Sequence, residues 1–154
     1  MDLMTAIDVG ASGLKAERTH LNVTSMNLAN AKTTRTVGGG PYRRKEVIFR
    51  EAEVQSPFSK AMNSALDQEV KGVRVDSIQN DRRALKMVYE PGHPDADSEG
   101  YVAYPDINVV EEMTNMLSAM RAYEANVSTI TTAKSMFSNS RSEERRVGKE
   151  CRSR

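Results

Sequence analysis

From Asn108 to Phe137 the apolar residues fall on two rows spaced seven apart: Met113, Met120 and Val127 on one, Val109, Met116, Tyr123, Ile130 and Phe137 on the other. The offset of three between the rows matches positions a and d of a heptad. The pattern predicts one narrow seam along a helix roughly 43 Å long. Pro105 precedes it, Asn108 is placed to cap the first free amides, and Glu111 to return the bond as a capping box. Glu111, Glu112, Asn115, Arg121, Glu124 and Asn126 fall opposite the seam and are expected in water. A seam of this kind needs a partner helix.

Near the N-terminus Ile7, Leu14, Leu21 and Leu28 again stand seven apart, predicting a helix from about Leu3 to Ala29. Its second row, Leu3, Gly10, Glu17, Thr24 and Ala31, is poor. Ala6, Gly10, Ala11 and Gly13 allow a close neighbour, but each Gly costs about 1 kcal/mol of helix propensity relative to Ala. This helix is marginal alone and is ordered by packing. The expected arrangement packs Ile7, Leu14, Leu21 and Leu28 on Met113, Met116, Met120, Tyr123, Val127 and Ile130 within a subunit, with Gly10 and Gly13 admitting a neighbour. The same rows would equally serve a monomeric core, and the methionines would adapt to several partners.

Between the helices the pattern changes period. Asn27, Asn30, Thr33 and Thr34 favour side-chain bonds to the backbone over further helix, and Gly38-Gly39-Gly40-Pro41 is a breaker. Glu46–Arg50, Gly72–Ile78, Ala84–Tyr89 and Tyr101–Tyr104 read as strands, the second alternating Val73 and Val75 against Arg74 and Asp76. A helical turn is possible around Phe58–Leu66. The fold class is α+β: terminal helices 1–31 and 105–140 paired as a coiled coil, and a loop with a small β-rich module over 32–104, too small for a large core.

Composition sharpens this. The chain has 38% hydrophobic residues, 5% aromatic residues and no Trp, which suits a seam better than a compact globule. A formal charge of +1 gives no bulk attraction to nucleic acid or an anionic membrane. No apolar run reaches the roughly 20 residues of a membrane span, and the N-terminal pattern predicts no cleaved secretory signal. Residues 141–154, RSEERRVGKECRSR, are dense in charge and resemble the translation of a sequencing-adapter oligonucleotide. Without them the chain holds 16 basic and 18 acidic groups and no cysteine, since Cys151 is in the tail.

No catalytic constellation stands out. His20 and His93 lack partners at ligand spacing, Ser12 lacks a nucleophile elbow, and Gly38–Gly40 lacks the Lys-Ser/Thr of a phosphate loop. Asp95, Asp97, Glu99, Gly100 and Asp106 loosely match a calcium loop, but position 12 wants Glu, position 11 is Pro105 and no helix leads into Asp95; an ordinary acidic turn is favoured. Arg35, Arg43, Arg44 and Lys45 form a basic cluster, read as a solvated loop in preference to an anion site. The expectation is no enzyme, no cofactor, no metal, and neither nucleic acid nor a small-molecule substrate as partner.

Several segments carry a resemblance. SMNLANAKTT, with Asn27, Leu28, Ala29 and Asn30, resembles the signature of bacterial flagellar axial proteins. RTVGGGPYRRKEVIF, GVRVDSI and the run from Pro91 to Ile130 are similar to one branch of them, the FlgC family of the proximal rod. The resemblance covers residues 1 to about 140. It implies a structural subunit of the flagellar drive shaft, exported by the flagellar type III apparatus and located in the periplasm-spanning rod of the basal body. It further implies terminal helices paired as an inner coiled coil, with other rod proteins, copies of the same chain and the export apparatus as partners. It also implies a last helix longer than one ending at Ser140. The rival reading is a stand-alone coiled-coil adaptor or export chaperone, which would want an intact second row in both helices. An enzyme, with a muramidase as the natural guess, would need paired carboxylates in a cleft, where Glu111 and Glu112 are expected to be exposed.

Overall fold

In a computed structural model the described residues are 3–53 and 71–150, with side chains described for 4–53 and 71–139. The possible turn at Phe58–Leu66 and Cys151 lie outside them. The order is α1 (Leu3–Ala29), β1 (Lys45–Glu53), β2 (Lys71–Asn80), β3 (Lys86–Tyr89), β4 (Tyr101–Tyr104) and α2 (Val109–Glu150). Strands β1 and β2 form one two-stranded sheet, β3 and β4 another, so the class is α+β.

Helix α2 starts where its cap predicts. The Asn108 carboxamide oxygen accepts the Val110 amide at 3.1 Å, while Glu111 makes no return bond, leaving a simple cap in place of the box. Acidic Glu111 and Glu112 in the first turn suit the positive end of the helix dipole. The helix runs on through Glu150, past the last heptad position. The tail's Glu, Arg and Lys are good helix formers and need no apolar stripe to continue the backbone.

The chain forms two compact units: Met1–Ala16 with Arg50–Arg74 and Ala122–Arg154, and Glu17–Phe49 with Val75–Arg121. In the first, glycine permits helix contact. A Cβ on Gly10 would stand 2.9 Å from Ile130 Cγ1, and one on Gly13 2.8 Å from Asn126 Nδ2. The Ser12 hydroxyl donates to Val9 O at 2.7 Å and accepts the Val73 amide at 3.2 Å, tying the start of β2 to α1. Ala16 and Ala133 are buried here.

In the second unit β3 and β4 are antiparallel, with Val88 opposite Val102 and Tyr89 opposite Tyr101. Val102 is fully buried, and the Tyr89 and Tyr101 rings meet edge-to-face at 5.4 Å. The acidic segment is the turn of this hairpin. Asp97 Oδ1 accepts the amides of Glu99 at 2.9 Å and Tyr101 at 2.8 Å, and Asp95 Oδ2 accepts the Thr34 hydroxyl at 2.8 Å. Gly100 completes the turn at φ +85°.

Candidate functional site

The most densely bonded place in the second unit is where the end of α1, the start of β1 and the start of α2 meet. Asn27 is 1% exposed, and its carboxamide is fully used. Its nitrogen donates to Lys45 O at 2.8 Å and to Glu112 Oε2 at 3.0 Å. Its oxygen accepts the Lys45 amide at 2.9 Å and the Tyr42 hydroxyl at 3.0 Å. A side chain in the last turns of α1 thus bonds both backbone groups of the first residue of β1, as a strand partner would.

Glu112, also 1% exposed, is the anionic half of this cluster. Its Oε1 accepts Arg44 Nε at 2.8 Å. Arg44 NH1 reaches Asp81 Oδ2 at 3.4 Å, and Asp81 also accepts Arg83 Nε at 2.8 Å and the Arg83 amide at 3.0 Å. Backbone completes the junction, the Asp81 amide donating to Arg44 O at 2.7 Å. Burial alone would lower the Arg44 pKa, but the Glu112 bond and the charges of Glu112, Asp81 and Glu111 raise it above the usual value. Burial, then the Glu112 charge, pushes the Tyr42 phenol up. The Arg83 amide, partly offset by burial and helped by both arginines, holds Asp81 below the ordinary carboxylate range. Among the described residues no buried side-chain nitrogen or oxygen lacks a partner, which is what a buried ionic cluster needs to persist.

This corrects two expectations. Glu112 is not on a solvated face, and Arg44 is not a loop cation: its side chain is 13% exposed. Glu112 is buried and Arg44 largely so because each brings the other's counter-charge, and burying either alone would be prohibitive. Glu111 is exposed as expected.

The second feature is what α2 leaves outside. Met113, Met120, Val127, Val109 and Phe137 are exposed, as are Val110, Leu117 and Met136. Met116, Tyr123 and Ile130 are half-buried. The buried positions are Glu112, Ala119 and Ala133, with Asn126 half-buried. The packed row therefore lies one residue before the apolar row. On α1 the leucine-type row Ile7, Leu14, Leu21 and Leu28 is half-buried, while Gly10, Gly13, Ala16, Val23, Thr24 and Asn27 are buried.

Residues 7–35 match the family model described as flagella basal body rod protein, and 98–142 match the flagellar basal body rod FlgEFG protein C-terminal model. The chain is 46% identical over 144 residues to the flagellar basal-body rod protein FlgC of Borreliella burgdorferi, covering 89% of this chain and 94% of the relative. It is 40% identical over 137 residues to that of Salmonella typhimurium, with 89% and 94% covered. The corresponding values for that of Bacillus subtilis are 38% over 144 residues, 89% and 95%. The chain belongs to the FlgC family of flagellar basal-body rod proteins. It is a structural rod subunit, and the adaptor reading is not favoured.

Within this family member the signature has a physical content. Asn27 is the buried hub, and Asn30 ends α1: its nitrogen donates to Met26 O at 2.8 Å and its oxygen accepts the Thr33 hydroxyl at 3.1 Å. Leu28 is half-buried and Ala29 exposed. Both matched regions contribute to the cluster, Asn27 from one and Glu112 from the other. Sequence reasoning missed Arg44 and Glu112 as a pair because each read as ordinary surface charge and 68 residues separate them. The matched C-terminal region ends at residue 142, two residues into the charge-dense tail.

Proposed function

We propose that this rod subunit belongs to the proximal, periplasm-crossing part of the flagellar drive shaft. It leaves the cell through the flagellar type III apparatus and orders on assembly with other rod proteins and copies of itself. Its terminal helices pair as an inner coiled coil. The observation that carries this is the exposed apolar row of α2, with Met113, Leu117, Met120 and Val127 at its centre. Such a row, on a helix whose described residues are not apolar enough to cross a membrane, is suited to packing against another protein. Pairing of the terminal helices is supported by Gly10 against Ile130 and Gly13 against Asn126, an antiparallel trend in which α1 numbers rise as α2 numbers fall. No enzymatic role is proposed; the relatives are rod proteins by name, and the carboxylates at the start of α2 divide between solvent and an ion pair.

The test is Met120→Glu, produced in a bacterium lacking its own FlgC-family protein. Met120 is exposed, so the charge leaves folding intact while blocking a neighbour's contact. Loss of swimming, with the subunit still exported, is expected. Full swimming would overturn the assembly reading. Leu21→Glu, on the half-buried row of α1, should also abolish swimming, through helix pairing.

A further inference from the structure

Helix α2 could bury either of two overlapping faces, which share Met116 and Tyr123 and whose other rows lie one residue, or about 100°, apart. Turning Met113 and Met120 inward would remove more apolar surface from water than the present choice, which buries Glu112 and Ala119. The hydrophobic effect therefore does not explain the face observed. What opposes the rotation is the ionic cluster. Swinging Glu112 outward would strip Arg44 of its 2.8 Å partner in a part-buried setting and Asn27 of its 3.0 Å acceptor in a buried one.

We infer that Glu112, held by Arg44 and Asn27, is a specificity-determining residue that selects which face of α2 stays outward, reserving Met113 and Met120 for a neighbouring rod subunit. The inference rests on the rod reading above and adds the device that keeps its contact surface from collapsing onto the subunit itself. Buried ion clusters are poor sources of net stability compared with apolar replacements, and their best-attested use is in setting register. A cluster with every member satisfied, placed beside a row of exposed methionines, suits that use. Ala119, small and one turn-pair on from Glu112, makes the selected face shallow enough for close packing.

The experiment reads the face directly. In the full chain carrying Cys151→Ser, Ala119→Cys and Met120→Cys are introduced separately and labelled with a maleimide. Burial of one position and exposure of the other predicts that the thiol of Met120→Cys reacts roughly tenfold or more faster than that of Ala119→Cys. Adding Glu112→Met with Arg44→Met, which leaves Asp81 its Arg83 partner, should bring the ratio to one or reverse it while helical circular dichroism is kept. An unchanged ratio would overturn the inference. Should the double variant lose its helix, Glu112→Gln serves: it keeps the shape, weakens the hold on Arg44, and is expected to narrow the ratio, with no narrowing counting against the inference. Equal, fast labelling in the parent chain would also overturn it. Assembly into the rod is read separately, by swimming.

Discussion

Two rows of α2 sit one residue out of step and behave in opposite ways. Glu112, Ala119 and Ala133 are buried, whereas Met113, Met120 and Val127 are 50%, 44% and 41% exposed. By side-chain chemistry alone the assignment should be reversed. The difference teaches that in an assembling subunit the most apolar face need not be the one the chain keeps for itself. A small or charge-paired row can serve the fold, freeing the apolar row for a partner.

The comparison breaks most sharply at adjacent residues. Glu112→Ala leaves the Arg44 guanidinium and the Asn27 amide short of a buried acceptor. It should cost about 3 kcal/mol in denaturant unfolding of the purified chain, the lower end of the range for breaking a buried pair because Asp81 remains. Met113→Ala, one residue on and half exposed, should change stability by about 0.5 kcal/mol or less. Similar losses for both would mean the two rows are not distinct.

The second prediction concerns the glycines that let α2 approach. Ala at position 10 would press on Ile130 Cγ1, a branched and confined group, at 2.9 Å. Overpacking of about 1–3 kcal/mol then outweighs the roughly 1 kcal/mol gained in helix propensity, so Gly10→Ala should destabilise by about 1 kcal/mol in the same unfolding assay. At position 13 the close atom is the Asn126 amide nitrogen, the end of a side chain that can swing aside. Gly13→Ala should be near neutral. Removing one hydroxyl from the cluster is smaller still: Tyr42→Phe takes away a 3.0 Å bond to Asn27, whose oxygen keeps the Lys45 amide, and should cost about 0.5–1 kcal/mol.

Much of the architecture was legible beforehand. Tyr101–Tyr104 follows its pattern to the residue, Leu3–Ala29 follows its own closely, and the strand of Val73 and Val75 keeps those side chains half-buried with Arg74 and Asp76 outside. Periodicity reads such elements because it reports on neighbours along the chain. It placed Met116, Tyr123 and Ile130 toward the packed side as well. It could not place Glu112, whose partners Asn27 and Arg44 lie 85 and 68 residues away in sequence. An apolar row shows which positions would gain from burial, and nothing in its spacing says whether the covering surface belongs to the same chain. The choice between faces lives in a long-range ion pair.

The smallest effect tests the outer edge of that ion cluster. Asp81 is held below the usual carboxylate value by the Arg83 amide and by the nearby arginines. A carboxyl whose folded pKa is depressed binds its proton less readily when folded than when unfolded. Its contribution is therefore present above the unfolded value, near 3.8, and is lost as pH falls through the lower, folded value. The purified chain should lose stability across that acid window, and Asp81→Asn should flatten this part of the profile while leaving the neutral-pH helix signal in place. Met113→Ala, with no part in the cluster, should leave the slope untouched. If Asp81→Asn follows the parent slope through the window, Asp81 is not linked to folding, and the cluster's reach ends at Arg44 and Glu112.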